Sequence, residues 1–220
     1  MSTLKKDVLK RIYFVRHGQT KDNASNVYQS KDDELNENGK KQASLVAERF
    51  ATIPADIIIS SDHIRALETA EAIVETTGLS LQESFLFEEI RRPSDLIGKD
   101  KKLPSSKLIM DEVIENELKE DWHHLDEESL FEALARARKA LDYLCNRQEE
   151  RIIVVAHEMF IKMLLAGMAV EDDENAIKFY RMMRYFMIGD NTGITIAEYG
   201  NFPNGNKFRL RIWNDHAHLG

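Results

Sequence analysis

Three short runs of apolar, largely β-branched residues limit the folds open to this chain more than any other feature. They are "RIYFV" at 11–15, "DIIIS" at 56–60 and "RIIVVA" at 151–156. A strand with one face in water alternates apolar and polar residues, whereas these are apolar on both faces. Strands of that kind belong to a parallel sheet covered on each side by helices. The intervening segments can supply the cover. "LNENGKKQASLVAERF" (35–50), "SDHIRALETAEAIVETTG" (61–78) and "DEESLFEALARARKALDYL" (126–144) repeat apolar residues every three to four positions, with Asn36, Ser61 and Asp126 near their starts as candidate N-caps. The order is β-α-β-α, a helical insertion, then α-β-α. Two alternating segments, "TGITIAEYG" and "KFRLRIWND", follow as an antiparallel or edge pair. The expected fold is α/β: a three-layer α/β/α sandwich with a mostly parallel central sheet. Sheets of this kind bind ligands beyond the carboxyl ends of their strands.

At 220 residues and 43% apolar content the chain can bury one sizeable core, and it reads as a single domain over 1–220. Thirty basic residues against 38 acidic leave a net charge of −8, which argues against a broad nucleic-acid surface but not against a local basic pocket. A single cysteine, Cys145, excludes a disulfide within the chain and falls at a helix-core spacing, as a buried thiol would. "MSTLKKDVLKR" has no apolar stretch of the signal-peptide kind, and "MFIKMLLAGMAV", the longest apolar run, is short and holds Lys162. The expectation is a cytoplasmic protein with no membrane or nucleic-acid partner; a homodimer is left open.

The first strand runs out into Arg16, His17 and Gly18, and His157 follows the run at 151–156 in the same relation. Two imidazoles thus reach one rim of the sheet from distant parts of the chain. Neutral imidazole is a nucleophile at neutral pH. Arginine's planar fork can give two parallel hydrogen bonds to a phosphate. Each residue alone has a plainer reading: a histidine after a strand is usually structural, and Arg65 in an amphipathic helix would pair with Glu68 or Glu71. His123 and His124 in "DWHHLDE" lack the spacing that would complete a ligand set, so neither metal nor cofactor is expected. His216 and His218 in "NDHAHLG" read as a frayed tail without a catalytic role.

Together, "VRHGQT" with Asn23 six residues past His17, "LNENGKKQA", "IIISSDHIRALETAEAI", "FEEI" and "IIVVAHEMFIKMLL" resemble the histidine phosphatase superfamily, which includes cofactor-dependent phosphoglycerate mutases and many small phosphatases. The resemblance spans residues 11–165. It implies His17 as the nucleophile, with Arg16, Arg65 and His157 as cationic donors to the phosphoryl group and Asn23 as a neutral one. It further implies Glu89, with adjacent Glu88 as the alternative, as proton donor to the leaving oxygen and then base for water. A carboxyl group can donate at neutral pH only if burial and nearby phosphate charge raise its pKa. Gly18 and Glu158 complete the expected substrate-binding set.

This sequence departs from the family pattern in two places. Glu158 stands where relatives commonly have glycine, which puts a carboxylate beside the phosphate pocket unless its side chain turns away. "NASNVYQS" keeps Asn23 and Gln29 but lacks the glycines and arginine often found there. An insertion from about 91 to 125 is expected as helical cover over the site, and Arg91, Arg92, Lys99, Lys101, Lys102 and Lys107 give it basic character that suits an anionic substrate or a solvated loop. "EEIRRPSDLIG" does not match the mutase context. The expected function is therefore metal-independent hydrolysis of a phosphomonoester of a small anionic metabolite through a phosphohistidine. The alternatives are a phosphoglycerate mutase-type transferase and a non-catalytic phosphate-binding module; the second would need a lost catalytic residue, and none is missing.

Overall fold

Successive side chains of a strand point to opposite faces of its sheet, so a strand apolar at every position needs cover on both. The structure, a computed structural model, describes residues 8–203 and 205–220 and provides that cover. Residues 1–7, the start of the segment expected to lack a signal peptide, lie outside the described residues. The chain runs β1 (Val8–Arg16), α1 (Lys21–Ala24), α2 (Glu37–Phe50), β2 (Ile57–Ser60), α3 (Ile64–Thr77), β3 (Leu81–Glu83) and α4 (Pro104–Asn116). It continues through α5 (Leu130–Cys145), β4 (Arg151–Ala156), α6 (Glu158–Ala169), α7 (Asp173–Phe186), β5 (Ile194–Phe202) and β6 (Gly205–Asp215). The strands form one sheet in the order β3-β2-β4-β1-β5-β6. The first four are parallel, and β5 and β6 add an antiparallel pair beyond β1.

Burial follows the pleat. Ile12, Phe14, Ile57, Ile59, Ile152 and Val154 pack into a core with α5, α6 and α7 on one face. Their neighbours Tyr13, Val15, Ile58, Ile153 and Val155 pack with α2 and α3 on the other. This is the expected three-layer sandwich. Three elements go beyond the sequence expectation, and α1, a single turn behind Thr20, is one of them. β3 has only three residues, too few for periodicity to register. α7 buries Ala176, Ile177, Tyr180 and Met183 in helical spacing behind an Asp172 cap, a signal present in "DENAIKFYRMMRYF".

The caps correct the expected helix starts. Asn36 caps α2 as expected, accepting from the Gly39 N–H at 2.8 Å. α5 starts after Ser129 rather than at Asp126, because Ser129 and Glu132 form a reciprocal capping box. α3 starts after His63, and Ser61 is not its cap; the Ser61 hydroxyl turns toward His157 instead. The C-terminal segment is docked rather than frayed, with His218 Nε2 3.0 Å from the Thr192 hydroxyl. Cys145 is half-buried, and burial pushes its thiol up to about 11, away from reactivity at neutral pH. Among the described residues no helix is long and apolar enough to cross a membrane.

One close approach fixes the loop that leaves β1. A Cβ on Gly18 would lie 2.6 Å from the Gly39 carbonyl oxygen, and one on Gly39 would lie 2.0 Å from that of Gln19. Only glycines let these backbones pass, so the start of α2 presses directly on the loop. Away from that crossing, the capping box offers a simple check on the revised helix start. Ser129→Ala should lower the unfolding free energy by about 1 kcal/mol in urea titration. An unchanged stability would put the start of α5 elsewhere.

Candidate active site

Sheet register delivers the site. β4 lies between β1 and β2, pairing Arg16 with Ala156 and Ser60 with Val155. Two bonds continue the ladder past the strand ends: His17 N–H to Ala156 O and Ser61 N–H to Val155 O, each 3.0 Å. The residues that follow the three strands therefore meet at one rim. The His17 and His157 rings stand 5.2 Å apart between centroids, and the His63 ring lies 4.7 Å from that of His157.

His17 is 2% exposed. Its Nδ1 lies 2.7 Å from the Gly18 carbonyl oxygen, which can only accept, so Nδ1 carries the proton and Nε2 keeps its lone pair. Arg65 Nε donates to that Nε2 at 3.3 Å. Burial, then the charges of Arg65 and Arg16, hold the imidazole well below its ordinary pKa, so it is neutral at pH 7. The expected substrate-binding Gly18 has its N–H committed to the Thr69 hydroxyl at 3.0 Å; what it contributes is its carbonyl and its lack of a side chain.

Arg65 is 2% exposed and tied at each nitrogen. Besides His17, it donates to Ser30 O at 2.6 Å and to His63 Nδ1 at 2.9 Å. Burial lowers it to about 10, which leaves it charged at neutral pH. It pairs with neither Glu68 nor Glu71; Glu68 accepts from the Leu35 N–H instead. His157, expected as a cationic donor, differs: burial and then Arg65 hold it well below its ordinary pKa, so it is a neutral ring in the free site. Its Nε2 is 2.9 Å from the Ser61 hydroxyl, and its buried Nδ1 has no partner among the described residues. Asn23 lies in α1, and its Oδ1 is likewise buried without a partner.

The structure separates the two candidate carboxylates. Glu89 sits at the N-terminus of α6 and accepts from the backbone N–H groups of Ile90 and Phe160, both at 2.9 Å, and of Met159 at 3.3 Å. Arg136 braces that segment, donating to the carbonyls of Leu86, Glu88 and Glu89 while paired with Glu128 at 2.6 Å. Glu88 also borders the cavity, but its carboxylate pairs with Lys31 Nζ at 3.1 Å. Asp62, His63 and Glu88 bring ligand atoms within 4.8 Å of one another, a grouping not singled out in the sequence, but Lys31 also lies 2.7 Å from Asp62 and supplies its counter-charge.

These groups open onto a cavity of about 550 Å³, within the usual range of small-molecule sites. Arg16, His17, Arg65, Asn23, Glu89 and Glu158 line it on the sheet side, and Arg92, Lys101 and Met110 line it from the insertion, which therefore stands over the site as expected. Glu158 does turn away in part: its carboxylate meets Arg16, Lys162 and the Gly189 N–H. Several contributors escaped sequence reasoning. His63 reads locally as the residue before a helix, and Gly189 and Asn191 lie in a featureless loop. Lys162, at helical i+4 spacing from Glu158, could have been found.

With this geometry in hand, comparisons with known proteins agree on its kind. A family model described as "Histidine phosphatase superfamily (branch 1)" matches residues 12–216. The chain is 31% identical over 173 residues to putative phosphoserine phosphatase 2 of Hydrogenobacter thermophilus, covering 74% of this chain and 82% of that one. It is 29% identical to a probable phosphoglycerate mutase of Erwinia tasmaniensis, covering 71% and 73%. A solved Entamoeba histolytica phosphoserine phosphatase, a histidine-to-alanine variant in complex with phosphoserine, superposes with a TM-score of 0.72 at 26% identity, covering 96% and 99%.

The buried rings of His17 and His157 and the half-buried ring of His63 make stability depend on pH with a definite sign. Each has a folded pKa below its unfolded value, that of His63 at about 3. The unfolded chain thus takes up protons below about pH 6.5 that the folded one refuses, and stability falls as pH drops through that value by up to about 1.4 kcal/mol per pH unit for each ring. Urea unfolding between pH 7.5 and 5 should show this loss, and His63→Gln should flatten it. An unchanged slope in that variant would show that His63 titrates normally.

Proposed function

Because the chain belongs to the histidine phosphatase superfamily, we propose that it is a metal-independent phosphatase acting on a phosphomonoester of a small anionic metabolite through a phosphohistidine on His17. The observation that carries this reading is the state of the His17 ring: buried and neutral, with Nδ1–H bound to Gly18 and the Nε2 lone pair held at the cavity beside Arg65. In the first step Nε2 attacks phosphorus. The N–P bond forms as the bond from phosphorus to the leaving oxygen breaks, and the carboxyl proton of Glu89 passes to that oxygen. Arg16, Arg65, His157 and Asn23 donate to the peripheral oxygens, where a loose transition state carries its charge. In the second step the Glu89 carboxylate takes a proton from water as the water oxygen attacks phosphorus, and the N–P electron pair returns to Nε2.

Arg92 and Lys101 support a substrate with a second anionic group. Both line the cavity opposite the histidines, and neither makes an ion pair among the described residues. Lys101 Nζ lies 5.4 Å from the centre of the Tyr28 ring, and its pKa is lowered by burial and then by Arg92 and Arg16, the condition of a cation short of a counter-charge. The phosphoserine and phosphoglycerate named for the relatives each join a phosphate to a carboxylate, which fits such a pair.

Phosphate release from phosphoserine and 3-phosphoglycerate, assayed with and without EDTA, tests the reading. Turnover should be indifferent to EDTA, and His17→Ala should reduce it by at least about a thousandfold. Arg92→Ala should raise KM about tenfold for the carboxylated esters and leave p-nitrophenyl phosphate unaffected. Fast isomerisation of 3-phosphoglycerate with negligible phosphate release would replace phosphatase with mutase.

A further inference from the structure

Glu158, the first residue of α6, holds its carboxylate beside the phosphate-facing arginine. Its Oε2 lies 3.1 Å from Arg16 Nη1. Its Oε1 accepts from Lys162 Nζ at 2.7 Å and from the Gly189 N–H at 3.2 Å. Arg16 Nη1 also donates to the Gly189 carbonyl. One nitrogen of the guanidinium is therefore fixed to two groups that are themselves fixed to each other. The opposite edge is not: among the described residues Arg16 Nε is buried without a hydrogen bond and Nη2 makes none. Those two nitrogens form the side edge of the fork, the geometry that matches two phosphate oxygens.

Lys162 resolves the problem that Glu158 raises. A carboxylate beside an anion site repels the anion, and paired with Arg16 alone it would cancel the charge that the arginine offers. Lys162 is 1% exposed, and the only ion pair it makes among the described residues is with Glu158, on its own helix. Arg16, Glu158 and Lys162 together carry one net positive charge. A buried ammonium is costly unless paired, so the lysine and the carboxylate hold each other in place.

We infer that Glu158 is a positioning residue that presents the Nε–Nη2 edge of Arg16 to the phosphate, and that Lys162 is the buried counter-charge that makes this carboxylate compatible with anion binding. The inference rests on the phosphatase reading and adds to it two residues acting through Arg16. An arginine held in place is aimed in advance at the oxygens on which charge develops in the transition state, so loss of the tie falls on kcat.

Orthovanadate binding by calorimetry, with turnover alongside, separates this role from a merely structural one. Lys162→Met, which keeps the buried volume, should weaken vanadate about tenfold, because Glu158 is then opposed by Arg16 alone. Adding Glu158→Gln to it should restore affinity to within about threefold of wild type, since one net positive charge returns. Replacing that glutamine by alanine in the same Lys162→Met background leaves the charge unchanged but removes the tie to Arg16, so kcat should fall about tenfold at similar KM. Should Lys162→Met fold poorly, the two double variants still pose the question, since they differ only in the tie. A double variant as weak as Lys162→Met, a Lys162→Met protein that binds like wild type, or equal kcat in the glutamine and alanine versions would overturn the inference. Wild-type protein that neither binds vanadate nor releases phosphate would overturn the phosphatase reading as well.

Discussion

The burial of the His17 ring against Arg65 Nε keeps the imidazole uncharged. A second positive charge on the imidazole, buried beside that guanidinium and near Arg16, would be unsupported by solvent, so the ring stays neutral. Neutrality alone does not make a nucleophile, because the lone pair could lie on either nitrogen. The Gly18 carbonyl settles that, and it can do so only because Gly18 and Gly39 let their backbones pass at contact distance. The chemistry of one ring thus rests on a helix start pressing on a loop, and the loop rests on a strand buried on both faces.

Four acidic side chains line a site that must receive an anion, and each is answered separately: Asp126 accepts from the Ser94 N–H, and the other three are glutamates. Glu88 pairs with Lys31, Glu158 with Lys162 and Arg16, and Glu89 with backbone amides at the start of α6. The last arrangement uses no cation at all, only N–H donors. Local pairing of this kind is compatible with a net charge of −8, because the field at the pocket is set by groups a few ångströms away rather than by the surface total.

Much of this was legible in the sequence, and the reasons are physical. Doubly apolar strands imply a covered parallel sheet, and charged residues directly after them imply a rim where they need not be buried in the core. That reasoning reaches Arg16, His17 and His157 from position alone, while Arg65, Asn23 and the preference for Glu89 needed the likeness to a family. Helix starts were less accessible, since Asp126 and Ser129 are both good caps and only the reciprocal bond to Glu132 distinguishes them. The charge state of His157 was out of reach, because it depends on desolvation by residues remote in sequence. Contacts made by loops, such as Gly189 with Arg16 and Asn191 with the His17 carbonyl, follow no period and leave no pattern to read.

The place of β4 has a consequence for the order in which the molecule can be assembled. β1 and β2 are not neighbours; β4, made much later in the chain, lies between them and bonds to both. As the polypeptide leaves the ribosome, the His17 ring and the Arg65 fork exist for a long interval without the strand that brings them together. Apolar strand surface is exposed throughout that interval, the condition under which incomplete chains aggregate. Phosphate compounds in the surrounding solution have nothing complete to bind until the last parallel strand slides into the gap, so ligand binding can reward only the finished sheet.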